Sequence, residues 1–212
     1  MSRTVKSTRV GRPRAGEASD FEPRILARTW ELFVTGGYSA ITYEALSRLE
    51  RMSKQTIYSR FESKEALFRA AAERRLLAWS EETARAIQTS TDDPLRASVR
   101  EIFRIMMGPD RAALTSLMRS DNARDPALHA LIYSRGRATM EGLAGRIAAY
   151  QEGVSRDEAE VVAGCIISML AGHALELPHL GAAERSAHFE LWAPRMVTLA
   201  LRMVNASPPM PR

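Results

Sequence analysis

Apolar residues recur at helical spacing along almost the whole chain, and polar punctuation cuts them into runs. Ile25, Leu26, Thr29, Trp30, Leu32 and Phe33 share one helix face. They predict a first helix from about Phe21 to Thr35, with Pro23 in its first turn and Gly36-Gly37 ending it. Thr42 suits the cap of a second helix that buries Ala45, Leu46 and Leu49, and Ser53 the cap of a third that buries Ile57 and Phe61. Ser63 opens a long fourth, Lys64 to about Gln88, with Leu67, Phe68, Ala71, Leu76 and Trp79 inward. After residue 90 the breaks are regular. Helices are expected from Asp92-Asp93-Pro94 to Gly108-Pro109, from Asp110 to about Ser120, and from Asp125-Pro126 to about Tyr150. Two more run from Ser155 to about Leu177 and from near Glu184 to about Asn205, the last bent at Pro194. With no strand pattern and no repeat, the fold class is all-α, about nine helices.

These runs divide the chain into four parts. Residues 1–18 form a basic polar arm, 19–64 a small three-helix unit, 65–206 a larger helical body, and 207–212 a proline-rich tail. Charge follows the same division. Residues 1–64 hold 12 Lys+Arg against 7 Asp+Glu, whereas residues 65–212 hold 18 of each. The whole surplus of +5 therefore sits on the three-helix end. A basic end on a neutral body suggests a polyanion-binding module joined to something with another task.

Other classes are disfavoured. Cys165 is the only cysteine among the 212 residues, so neither an internal disulfide nor a cysteine metal cluster can form. The stretch Val161 to Leu175 is too short and too interrupted to span a membrane, and no apolar run follows the basic N-terminus as in a secretory signal. A cytoplasmic protein with no membrane partner is expected. There is no phosphate loop, no recognisable Ser/His/Asp set and no expected cofactor or metal, which argues against an enzyme.

The second and third helices, joined by a tight turn, have the layout of a helix-turn-helix. With Ile57 facing the core, steps of 100° place Gln55 and Ser59 almost opposite it, Thr56 and Tyr58 on the flanks, and Lys54 at the rim. That face carries no carboxylate to repel phosphate. Gln can bond an adenine edge twice, and Thr or Ser can meet several base edges. Tyr58 and Lys64 suit phosphates, as do the capped helix starts at Thr42 and Ser63. In the arm, Gly11-Arg12-Pro13-Arg14 can lie extended in a narrow groove, so Arg12 and Arg14 are further candidates; a solubilising tail is the other reading.

These residues resemble a known family. Ile25-Leu26 to Leu32-Phe33, Gly37-Tyr38, Thr42, Leu46, Ser53 and the run Thr56-Ile57-Tyr58-Ser59-Arg60-Phe61-Glu62-Ser63-Lys64-Glu65-Ala66-Leu67 are similar to the N-terminal domain of TetR/AcrR bacterial transcriptional regulators. The resemblance covers about residues 20–70. It departs at the turn, where Glu50-Arg51 replaces a small residue and Gly. Tyr43 stands for a usual aliphatic and Ser47 for a usual Ala. The resemblance implies a homodimer gripping a near-palindromic double-stranded operator, released when a small molecule enters the body. A DNA-binding protein that is ligand-independent, architectural or partner-recruiting remains the alternative.

Within the body, Gly164, Ser168 and Gly172 make a small-residue stripe. Gly costs about 1 kcal/mol in a helix interior, so the stripe suggests close approach of another backbone. The resemblance puts the dimer contact on the last two helices, and the final one offers Phe189, Trp192, Met196, Leu199 and Met203. An intramolecular packing stripe is the other reading. Pocket candidates are Trp79, Phe103, Met106, Met107, Leu117, Met118, Tyr133, Met140 and Met169, since thioethers repack around varied apolar shapes. Plain core filling explains each singly as well. His173, with Glu176 three residues on, completes the set as a ligand or metal contact, or as a hydrogen-bonded core or interface histidine, the reading preferred over a metal site. The expected ligand is small and largely hydrophobic.

Overall fold

The computed structural model describes residues 15–119, 125–177 and 180–206, with side chains from residue 21 onward. Nine helices and no strand occur among them. They are α1 (Ala15–Ala40), α2 (Tyr43–Glu50), α3 (Lys54–Tyr58), α4 (Lys64–Thr89), α5 (Pro94–Met107), α6 (Pro109–Met118), α7 (Pro126–Tyr150), α8 (Arg156–Leu175) and α9 (Ala182–Ala206). The starts lie where the cap residues predict. Thr42, Ser53, Ser63, Asp93, Asp125 and Ser155 each accept a bond from a backbone N–H of the first turn. Each cap satisfies a donor that the helix cannot satisfy itself. At α8 the capping is reciprocal: Glu158 Oε2 accepts from Ser155 N at 2.8 Å while Ser155 Oγ accepts from Glu158 N at 3.3 Å.

Four local expectations need correction. α1 begins at Ala15, so Pro23 lies inside the helix, and the break comes at Gly37, whose φ of 75° suits a residue without Cβ. Leu49 is 44% exposed rather than buried, because α2 turns its apolar side along Tyr43 and Leu46. α3 ends at Tyr58, and Phe61 reaches the core from the turn that follows. α9 continues as one helix through Pro194.

Two apolar cores organise the molecule. The first joins α1, α2, α3 and α4 around Ile25, Phe33, Leu46, Ile57 and Phe68, and also takes in Leu114 and Leu117 of α6 and Leu128 of α7. Three helices alone bury too little surface for a stable core. The unit expected to end at residue 64 is therefore completed by α4 as far as Trp79. Trp30, Phe33, Phe68 and Trp79 form its aromatic centre, with ring centroids 4.7–6.3 Å apart. The second core lies around α5, which packs on α7, α8 and α9. Phe103, Leu143, Ile147, Ile166 and Leu170 fill it, with Phe189 and Met196 of α9. Taken alone, α8 is long and apolar enough to span a membrane, at a mean hydropathy of 1.4. Here Val162, Ala163, Ile166 and Leu170 instead face this second core.

The turn between α2 and α3 shows how the Glu50-Arg51 departure is accommodated. Arg51 lies in the left-handed region at φ 53°, ψ 44°. Its N–H bonds Ser47 O, and Ser47 Oγ donates to Met52 O at 2.5 Å. Glu50, whose side chain is only 6% exposed, accepts from Arg24 at 2.7 Å and Arg28 at 2.9 Å, both on α1. Burial alone would raise the Glu50 pKa, but the bonds from Arg28 and Arg24 together outweigh it and hold it below the ordinary 4.5. A left-handed residue with a Cβ costs roughly 1–2 kcal/mol, while glycine forfeits up to about 1 kcal/mol of chain entropy. Arg51→Gly should therefore stabilise the fold by about 0.5–1 kcal/mol, read as a higher urea midpoint at unchanged slope. A lower midpoint would show that the arginine contributes more than its backbone costs.

Candidate nucleic-acid interface and adjoining cavity

The geometry of α3 follows from its supports. Ile57 is fully buried under it. Tyr43 of α2 lies against its far end: the Tyr43 ring stacks on Tyr58 at 3.9 Å, and the Tyr43 hydroxyl donates to Phe61 O at 3.2 Å. The residue that departs from the usual aliphatic thus packs the helix end and satisfies a carbonyl at once. Burial first, then repulsion from the neighbouring Tyr58 phenol, raises the Tyr43 pKa, so it stays a neutral donor.

With α3 held this way, Lys54, Gln55, Thr56, Tyr58 and Ser59 are all exposed. Ser59 belongs to the turn after α3, its hydroxyl donating to Thr56 O at 2.9 Å, and Thr56 Oγ1 shares a 2.8 Å bond with Ser53 Oγ. The Gln55 amide makes no such bond among the described residues. Lys54 differs from expectation. α3 itself bears no carboxylate, but Glu44 of α2 reaches across and pairs with it. Lys64 lies partly buried, 4.3 Å over the Tyr38 ring, and burial lowers its pKa. The Tyr38 hydroxyl donates to Glu65, and burial with that carboxylate pushes its pKa up to about 12. Thr42 and Ser63 act as the caps of α2 and α4. Arg12 and Arg14 lie outside the described residues.

One cation escaped the sequence reading. Arg48 stands one turn beyond Glu44 on the exposed stripe of α2, the same stripe that reaches Lys54. The four-residue spacing was the available signal. Arg48 has no ion pair among the described residues.

A cavity of about 490 Å³ opens farther along the chain. Met106 of α5, Arg111, Ala112, Thr115 and Ser116 of α6 and Arg119 at its C-cap form one wall; Ala171, Ala174 and Leu175 of α8 and Arg185 of α9 form the other. Its size suits a small organic molecule. The opposite face of α6 belongs elsewhere: Leu114 and Leu117 are buried in the core shared with α1. One short helix therefore touches both the cavity and the underside of the helix-turn-helix unit.

Of the ten expected pocket residues, only Met106 lines this cavity. Trp79 and Leu117 fill the first core, Phe103 and Met107 the second, and Met169 packs against that second core. Met140 Sδ lies 3.9 Å from where a Cβ on Gly164 would stand. Tyr133 is 70% exposed and Met118 half-buried. His173 instead bonds His188 of α9, Nε2 to Nε2 at 2.8 Å, with Trp192 stacked on His188 and tilted against His173. No three His, Cys, Asp or Glu side chains converge as a metal site among the described residues.

The expected dimer residues also separate. Phe189 and Met196 face the chain's own core, Trp192 and Met203 pack partly against it, and Gly164 is half-buried beside Met140. Ser168, Gly172 and Leu199 remain on the surface. Val161, Cys165 and Leu175 of α8 and Leu191 of α9 join them there. This outer apolar face keeps Ser168, Gly172 and Leu199 of the expected set and leaves out Phe189 and Met196, which the chain's own core covers.

Residues 25–71 match the family model described as bacterial regulatory proteins, tetR family. No curated protein matches the chain. Among solved structures, the chain resembles a TetR transcription regulator from Haloarcula marismortui at TM-score 0.69 and 19% identity, over 89% of this chain and 98% of that one. A transcriptional-regulator structure from Saccharomonospora viridis, in complex with choline, aligns at TM-score 0.68 and 17% identity over 89% and 97%. FadR from Bacillus subtilis, in complex with stearoyl-CoA, aligns at TM-score 0.59 and 14% identity over 84% and 96%. At these identities the likeness is one of fold.

The histidine pair implies a measurable pH dependence. Burial, then His188, holds the His173 pKa below the ordinary 6.5. The unfolded chain therefore binds more protons at mildly acid pH, so stability is complete above about 6.5 and declines as pH falls below it. Melting temperature should drop from about pH 6.5 towards pH 5, before most carboxylates titrate. His173→Gln should flatten that drop, and an unchanged profile in the variant would remove the pair as its cause.

Proposed function

On the premise that the N-terminal domain is that of the TetR family of bacterial regulatory proteins, we propose that this chain is a cytoplasmic repressor. It binds a near-palindromic operator as a homodimer and leaves it when a small molecule occupies the cavity on α6. Gln55, Thr56 and Ser59 face base edges. Lys54, Tyr58, Lys64, Arg48 and the capped starts at Thr42 and Ser63 meet phosphates. Two copies of α3 must then lie about 34 Å apart to enter successive major-groove turns. The outer apolar face of α8 and α9, with Leu175, Leu191 and Leu199 exposed, is the surface a second copy would cover.

One observation carries the ligand-responsive reading: α6 lines the cavity on one face and packs into the DNA-binding unit's core on the other. A molecule that shifts α6 also shifts the seat of α1, and with it the spacing of the two α3 helices. It releases DNA only to the extent that it prefers the mis-spaced arrangement. A tenfold loss of operator affinity needs about 1.4 kcal/mol of coupling, and operator must weaken ligand binding by the same factor. The choline and stearoyl-CoA held by two proteins of this fold support a ligand-binding body.

Three measurements test the reading. Gln55→Ala should cost about 1–3 kcal/mol on the cognate operator and little on random duplex. Equal losses would confine Gln55 to the backbone. Gly172→Leu should yield monomers near 23.6 kDa in light scattering and weaken operator binding. A Cβ at Gly172 meets nothing within the monomer, so a dimer that survives would place the contact elsewhere. Calorimetry of an inducing compound with and without operator addresses the switch, and identical affinities would favour the ligand-independent reading.

A further inference from the structure

The cavity is basic in a body of zero net charge. Arg111 and Arg119 line its α6 wall and Arg185 its α9 wall, and among the described residues its lining contains no carboxylate. Most arginines elsewhere are neutralised locally: Arg69 pairs with Asp125, Arg75 with Asp110 and Glu82, Arg104 with Glu101, and Arg137 with Glu141. Arg111 and Arg119 make no ion pair among the described residues. Arg111 is also half-buried, and burial alone lowers its pKa, the response of a guanidinium that has lost water without gaining an acid. Arg185 donates Nε to Leu180 O at 2.9 Å, which turns the guanidinium's edge into the chain and ties it in place. Apolar surface adjoins these cations: Met106, Ala171, Ala174 and Leu175.

A half-buried guanidinium without an acceptor is costly. A ligand that supplies a planar or tetrahedral set of anionic oxygens removes that cost and gains charge-assisted, often bidentate, bonds. We propose that the cavity binds an amphipathic anion. Arg111 and Arg119, with Arg185, hold its carboxylate or phosphate, and its apolar part lies on Met106 and the α8 alanines. This narrows the largely hydrophobic ligand expected from the methionines to one with an acidic head. The inference rests on the reading of this cavity as the effector site. It also locates the force: the anion pulls on Arg111 and Arg119, at opposite ends of the α6 segment that carries Leu114 and Leu117 into the DNA-binding unit's core.

The test uses the full chain and four ten-carbon probes below their aggregation concentrations: decanoate, decyl phosphate, decanol and decyltrimethylammonium. Calorimetry in low-chloride buffer should give at least tenfold tighter binding for one or both anions than for the alcohol, and none for the cation. Preference between the anions distinguishes a carboxylate site from a phosphate site. Arg111→Gln should weaken the favoured anion at least tenfold, and Arg111→Lys by less. Circular dichroism checks the fold, and Arg119→Gln carries the same test if Arg111→Gln does not fold. Equal binding of alcohol and anion, or anion affinity untouched by both glutamine variants, would overturn the proposal. Operator binding is followed separately by fluorescence anisotropy. An anion that binds through Arg111 without changing operator affinity would uphold the site and sink the switch.

Discussion

α2 and α3, eight and five residues long, present the proposed DNA-facing side chains, and they cannot bury a core by themselves. That constraint shapes the molecule. Ile25, Leu46 and Ile57 are sealed only because Phe68 and Trp79 of α4 and Leu114 and Leu117 of α6 complete the same apolar cluster. Trp30 stacks on Phe68 at an interplanar angle of 3° and meets Trp79 edge-on, so α1 is bolted to the first half of α4. The recognition unit is thus packed into the body rather than tethered to it. A rigid seat of this kind lets a small shift below it appear as a displacement above, because close-packed cores move between discrete arrangements rather than yielding softly.

Local devices then orient the site on that seat. Glu50 draws Arg24 and Arg28 together and pins the end of α2 to α1. These pairs orient more than they stabilise, since both arginines keep much of their solvent. Tyr43 supports α3 through its stack on Tyr58 and its bond to Phe61 O. Together they leave Gln55, Thr56 and Ser59 facing outward without ion pairs to break on docking. Lys54 is the exception, because contact with phosphate has to compete with Glu44.

α6 lies between the cavity and the first core. Ten residues long and opened by Pro109, it is short enough to tilt as a unit. Its residues 114 and 117 face one core while 111, 115 and 119 face the cavity, a division that follows from the 3.6-residue repeat.

Much of this was legible in the chain. Six helix starts lie where Ser, Thr or Asp caps them, because capping is a bond between residues two or three apart and needs no distant partner. The exposed face of α3 followed from the burial of Ile57, and the uneven charge followed from counting. What distant neighbours decide was not legible. Periodicity marked Phe189, Trp192, Met196, Leu199 and Met203 as a stripe but could not say which of them the chain's own α5 and α8 would cover. Methionines scattered over the body looked like a pocket, whereas only Met106 lines the cavity; Met107 is buried in the second core, and Met140 and Met169 pack against it where four helices meet. Arg111 and Arg119 were two arginines among many until the fold set them at a cavity wall with no acid among the described residues of its lining. Caps and periods act within a few residues of sequence; burial and charge pairing act across space, and only the assembled helices define that space.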